Sequence, residues 1–224
     1  MTAILYPLYA VAQAALLAWG VRLWPRSCSL ALGLLLLVGA ALVYDNLIIA
    51  SGRLVGEGSL LHALNWPRFL FHVLFTPLLL VTAVYQAGRG GVGWAASQIG
   101  QIAAWVVALG LITFGIIHDL VGLSLSPIVY GGTLRYAAAG SGPPIPAIIT
   151  IVIIILVGIV VWRQMRWPWM FAGALVMFVG AAVPTSLVGP AVGSGVEIAL
   201  LAGLLATEQM LTTEKRAVGL LRSA

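Results

Sequence analysis

Residues 29–50 read SLALGLLLLVGAALVYDNLIIA, a run in which the only charged residue is Asp45. An α-helix needs about 20 mostly apolar residues to cross the hydrocarbon of a bilayer, so this stretch predicts a transmembrane helix. Asp45 and Asn46 fall short of its end, about 8–9 Å below the surface at 1.5 Å per residue. A charge at mid-bilayer costs roughly 3 kcal/mol on insertion scales, and it persists where it has a partner or a purpose. The same stretch therefore sets the fold class and marks a first candidate site.

The rest of the chain has the same character. Of its 224 residues 62% are hydrophobic and only 8% charged, where a soluble domain carries about a quarter charged. The net charge of +5 is dispersed at segment ends without a run of Lys or Arg, so it is not a nucleic-acid footprint. Cys28 is the single cysteine, which excludes an intrachain disulfide and any multi-cysteine metal site. No basic stretch precedes the first apolar segment, which is long enough to span and is read as a retained helix.

Seven segments are expected to cross: Ala3–Leu23, Ser29–Ala50, Pro67–Gln86, Ile99–Leu123, Pro146–Trp162, Trp167–Val183 and Val192–Met210. The fold class is thus an all-α bundle of seven transmembrane helices over residues 1–212, with a cytoplasmic tail over 213–224. Lys and Arg in short loops set the direction. With the N-terminus outside, Arg22, Arg26, Arg89, Arg163, Arg166, Lys215, Arg216 and Arg222 lie inside, against Arg53, Arg68 and Arg135 outside. The expectation is N-out and C-in, in a plasma (inner) membrane.

Tracing each helix from its outer end brings seven polar residues to one depth. These are Asp45, Asn46, Arg68, His72, His118, Asp119 and Glu197. Arg68, His72 and Thr76 are spaced by four and share a stripe, which Pro77 follows. Tyr6, Tyr9 and Gln13 form a polar-tipped stripe on the first helix. The fifth segment, rich in Ile and Val, is expected to face lipid and to stay outside the site. The loop 124–145 is expected to lie outside, either over the site or as a Gly/Pro-rich connector, and His62 and Glu57 are expected in a solvated second loop.

Three chemistries suit this set. His72 and His118 with carboxylates are a common ligand set for Zn²⁺ or a similar divalent ion, whose bound water attacks an ester, amide or phosphate. Without a metal, Asp45, Asp119 and Glu197 are candidates for acid–base catalysis, including acid-initiated cyclisation or isomerisation of an isoprenoid. The same groups could relay protons in a carrier or receptor-like protein, although little polar material continues the path inward. Arg68, Asn46, Tyr6 and Tyr9 are the candidate substrate-binding residues. The expected partner is a membrane lipid or other hydrophobic substrate, and no nucleic acid. The plain structural alternative is that pairs such as Arg68–Asp45 and His72–Glu197 simply join helices.

The layout resembles the seven-span hydrolase superfamily that includes alkaline ceramidases and the progesterone/adiponectin receptors, which also build metal sites from His and Asp on several helices. That family's late His-x-x-x-His pair is missing, because no His follows His118. Microbial rhodopsins share seven spans, but their retinal Lys has no counterpart in the last helix here.

Overall fold

The computed structural model describes residues 2–138, 144–183 and 191–223. The chain is mostly helical, with α1 (Thr2–Ser27), α2 (Leu30–Val55), α3 (Ser59–Phe75), α4 (Leu78–Arg89), the short α5 (Gly93–Ala96) and α6 (Gln98–Gly115) in its first half. A π-helical turn (Ile116–Leu120), strands β1 (Leu125–Tyr130) and β2 (Thr133–Ala138), and helices α7 (Ile145–Met165), α8 (Trp169–Ala182) and α9 (Ala191–Ser223) follow.

Six stretches among the described residues are long and apolar enough to cross a membrane: Ala3–Ser27, Leu30–Val55, Ser59–Arg89, Gln98–Leu120, Ile145–Met165 and Ala191–Glu214. The helix Trp169–Ala182 is apolar but shorter. Large aliphatic side chains stand outward on these helices, among them Ile4, Val11, Ile99, Val106, Ile117, Leu156 and Val179. A soluble surface does not carry so much contiguous apolar area, and a bilayer covers it.

Local chemistry sets the boundaries. Ser29 caps α2 by accepting from the Leu32 amide at 3.1 Å, and Ser97 caps α6 by accepting from Gly100 at 3.1 Å. Pro77 has no N–H to give the Val73 carbonyl, so the third span breaks into α3 and α4 there. Tighter bonds, Leu79 N to Thr76 O and Leu80 N to Pro77 O, restart the helix. Pro67, by contrast, lies inside α3, which starts at Ser59 rather than at Pro67. His62 is therefore helical and exposed, with its ring edge against Tyr136, and is not a loop residue.

Helix α2 is the hub, packing against α1, α3, α4, α9 and β2. Its Leu32, Leu35 and Val38 join Leu80, Val81 and Val84 of α4, Ile154 and Val157 of α7, Met170 of α8, and Leu201 and Leu204 of α9 in one core. Helix α7 belongs to this bundle. It packs on α8, α4 and α6 and buries Thr150, Ile151 and Ile154, so the expectation of a wholly lipid-facing fifth segment does not hold.

The loop 124–145 contains an antiparallel hairpin, pairing Leu125 with Ala138 through Tyr130 with Thr133. Gly131 and Gly132, at φ +55° and +89°, make the two-residue turn. β2 lies against α2 and α3, and its backbone approaches so closely that a Cβ on Gly52 would sit 1.8 Å from the Leu134 carbonyl oxygen. At the chain's other end α9 continues unbroken to Ser223, through the segment expected to be a tail.

Candidate functional site

A cavity of about 490 Å³ collects Asp45, Arg68, His72, His118, Asp119 and Glu197. These come from α2, α3, the π-helical turn and α9, segments far apart in sequence. Val38, Leu42, Phe69, Phe71, Val73, Phe75 and Val121 form its apolar wall. The cavity is therefore charged on one part of its lining and aliphatic or aromatic on the rest, as an amphiphile requires.

Arg68 is held from two sides. Its Nε donates to Asp45 Oδ1 at 2.7 Å and its Nη1 to Asn65 Oδ1 at 2.7 Å. Asn65 is fully buried, and the same oxygen accepts from the Tyr136 amide of the hairpin at 3.2 Å. A continuous path of hydrogen bonds thus runs from β2 through Asn65 and Arg68 to Asp45. Tyr44 ties α2 to α3 alongside, its hydroxyl donating to the Leu64 carbonyl at 2.8 Å. The Asp45 and Arg68 side chains keep 27% and 11% exposure, and both line the cavity.

The π-helical turn carries the second pair. Val121 N bonds Ile116 O, five residues back, and this widened turn places His118 and Asp119 on the cavity. Such turns recur at functional sites, because the extra residue re-aims its neighbours. His118 Nδ1 lies 2.9 Å from Asp119 Oδ1, and its ring stacks on Phe114. A carboxylate on Nδ1 fixes the tautomer and leaves Nε2 as the free nitrogen. His72, one turn below Arg68, has Nδ1 3.4 Å from Thr76 Oγ1.

Glu197 is the deepest carboxylate of the set. Its Oε2 is shielded and has no partner among the described residues. Gln13 lies beside it, and Gln13 Nε2 and Asn46 Oδ1 are also buried without partners among the described residues, while Asn46 Nδ2 donates to Gln13 Oε1 at 2.9 Å. Asn46 and Gln13 therefore brace the wall behind Glu197 and do not line the cavity.

Tyr6 and Tyr9 do not line it either. Tyr6 is fully buried, accepts from Arg135 Nη1 at 3.0 Å and meets the Tyr9 ring edge-on, while Tyr9 packs against Gly195. They connect α1 to the hairpin and to α9. Of the residues proposed from sequence, Asp45, Arg68, His72, His118, Asp119 and Glu197 come together in the cavity, and Asn46, Tyr6 and Tyr9 stand behind or beside it. Among the described residues no three His, Cys, Asp or Glu side chains are grouped closely enough to hold a metal ion. The donor set is spread around the cavity.

Sequence reading passed over Asn65, Ser124 and the phenylalanine wall. Asn65 had a usable signal: it is three residues before Arg68, on the same helical face. Ser124 lines the cavity just past the π-helical turn, but a lone Ser beside Gly122 carries no signal of its own. Compared with known proteins, the chain matches no protein family and no curated sequence.

Proposed function

We propose that the protein is an integral membrane enzyme that hydrolyses an acyl bond in an amphiphilic lipid, from a cavity open to the outer side. In this reading the short helix α8 is a seventh span, the N-terminus is outside, and the membrane is the plasma (inner) membrane. One observation carries the proposal: a single cavity that joins an aliphatic and aromatic wall to three carboxylates, two imidazoles and an oriented guanidinium.

The chemistry divides by depth. At the rim, Arg68, positioned by Asp45 and Asn65, keeps Nη2 for the polar head group of the lipid. The acyl chain lies along Phe69, Phe71 and Phe75. Glu197, whose Oε2 accepts no hydrogen bond among the described residues, takes the proton of a water as the water oxygen bonds to the acyl carbon. The proton on Glu197 then passes to the free Nε2 of His118, whose ring Asp119 orients, and from there to the leaving alkoxide as the acyl–oxygen bond breaks, so that both groups end as they began. The products are a fatty acid and an alcohol, with one water consumed.

The test is hydrolysis in ¹⁸O-water by the purified protein in lipid nanodiscs, against ester- and amide-linked lipids. The reading expects one ¹⁸O in the released carboxylate, and loss of that product in His118→Ala and in Glu197→Gln. No labelled acid from any substrate would overturn it. A stoichiometric metal that disappears in His72→Ala would favour metal-dependent hydrolysis instead.

A second reading has its own support. Phe71 stacks on Phe75 with centroids 5.4 Å apart, and Tyr44 meets Phe71 edge-on. Such ring faces stabilise a carbocation, which suits an acid-initiated isoprenoid cyclase or isomerase. Its product would keep the mass of the substrate and carry no oxygen from solvent.

A further inference from the structure

Beneath the main cavity lies a smaller chamber of about 40 Å³, bounded by residues of α2, α3, α4, α7, α8 and α9. His72, Thr76 and Glu197 line both spaces, so the two adjoin. Leu79, Met177, Leu200 and Leu201 close the chamber on its other sides. It is apolar except for four side chains, and two of these are notable. Thr150 of α7 is fully buried and its Oγ1 has no hydrogen-bond partner among the described residues. Glu197 Oε2 is likewise shielded and has no hydrogen bond within normal distance among the described residues, with the Gln13 amide beside the carboxylate on the side away from the chamber lining.

A buried threonine on a helix ordinarily returns its hydroxyl to a carbonyl one turn back. The buried Thr82, Thr207 and Thr212 all do so in this protein. Thr150 does not, and it borders the chamber. A buried polar group left without a partner is costly, so two of them on one small space call for an occupant that can donate to one and pair with the other. A water site needs two to four polar partners and some 10–15 Å³ of space for its centre. The chamber meets both conditions and is too small for a lipid group.

We propose that the chamber is a water-binding subsite in which Thr150 Oγ1 and Glu197 Oε2 together hold the oxygen that is delivered to the substrate in the main cavity. The water donates one hydrogen to the Glu197 carboxylate and accepts from the Thr150 hydroxyl, which directs its remaining lone pair toward the shared wall at His72. Thr150 is thereby a positioning residue, acting through the water and touching no substrate. The leucines and Met177 line the sides away from the main cavity, so the proposed supply comes from that cavity, past the shared residues His72, Thr76 and Glu197. This role rests on the hydrolytic reading, whereas the existence of the water site does not.

The experiment therefore has two arms, both on the full-length protein in nanodiscs. The first is a high-resolution structure of wild type, Thr150→Val and Thr150→Ser. The expected result is density for an ordered water between Thr150 and Glu197 in wild type and Thr150→Ser, and its loss in Thr150→Val, which has the same shape without the hydroxyl. An empty chamber in wild type, or a water that stays in Thr150→Val, overturns the site. The second arm measures release of ¹⁸O-labelled acid from the best lipid ester of the substrate panel. Thr150→Val is expected to lower kcat about 10–100-fold with KM within twofold, and Thr150→Ser to restore most of it. Unchanged kcat in Thr150→Val overturns the delivery role while the first arm still judges the site. Absence of hydrolysis in wild type with the water present refutes the hydrolytic reading and leaves the water site standing.

Discussion

Removing Arg89 should cost this protein more stability than any single change at the cavity. At the end of the bundle remote from the cavity, Glu208 is fully buried yet ionisable. It accepts from Ser27 and Ser29 hydroxyls, from Gln86 Nε2 at 3.1 Å and from Arg89 Nη1. Its eleven-residue separation from Glu197 on α9 places it about 16 Å along the axis, so the two carboxylates are independent. The Arg89 side chain keeps 28% exposure and Glu208 none. Arg89→Met leaves a carboxylate with three neutral donors and no countercharge in an apolar surround, a change that costs about 3–5 kcal/mol. For a chain of this length that is roughly 6–20 °C in Tm. Glu208→Met strands the serines and Gln86, but its partner Arg89 can reach the interface, so its cost is smaller. The double variant, with two apolar side chains, should recover at least 2 kcal/mol relative to the sum, because no unpaired charge remains. The assay is thermal unfolding of all four proteins in one detergent, followed by tryptophan fluorescence. Hydrolysis by Arg89→Met at a temperature where it is folded should match wild type. Additive single and double variants, within 0.5 kcal/mol, would refute the claim that this pair works as one buried unit.

Three further outcomes follow from the same geometry. Asp119→Asn should lower the proposed hydrolysis about 10²–10⁴-fold by releasing His118, yet shift Tm by no more than 2 °C, since both side chains are at least a third exposed; equal losses of fold and activity would count against a catalytic pair. Gly52→Val should push β2 off α2, because its first carbon would already meet the Leu134 carbonyl; rapid amide exchange at 133–138 with unchanged exchange in α7 is the expected signature, and full protection at 133–138 would contradict it. Exposed Cys28 should react with a membrane-impermeant maleimide only from the inner face, and Val129→Cys, made together with Cys28→Ser, only from the outer face; labelling of both from one side would break the proposed orientation.

Much of this layout is legible in residue order, for physical reasons. Apolar runs announce spans because a bilayer tolerates little else, and counting from helix ends is enough to bring Asp45, Arg68, His72, His118, Asp119 and Glu197 to one level. Rotation about each helix axis is less accessible. Tyr6, Tyr9 and Asn46 have the right depth, but packing turns them toward Arg135, Gly195 and Gln13. The π-helical turn is invisible to a 3.6-residue period, which cannot register one inserted residue at Ile116–Leu120. The hairpin had a readable cue in Gly131-Gly132 between short β-branched and aromatic runs, obscured by Pro127 in β1 and the Gly/Pro-rich sequence after it. Thr150 offered least of all. One hydroxyl in a run of Ile and Val says nothing about which face it takes, and only the neighbours of α7 decide that.

The two glutamates of α9, Glu208 fully buried and Glu197 partly buried, show how architecture and chemistry can be told apart in a bundle of this kind. Glu208 accepts from four donors, three on Oε1, including a guanidinium, and one on Oε2, and its side chain is closed off from solvent. A group so satisfied has its lowest free energy where it stands, and moving it or binding to it would cost several hydrogen bonds. Glu197 sits in the same helix beside charged groups of the cavity, and it has an oxygen without a hydrogen bond among the described residues, a cavity in front and a chamber below. Retaining such a group is unfavourable for stability alone, since a leucine would pack there at no polar cost. The asymmetry between the ends therefore argues that the Glu208 cluster fastens α1, α2, α4 and α9 together, which offsets the cost of the Glu197 oxygen that accepts no hydrogen bond among the described residues and that the proposed hydrolysis uses.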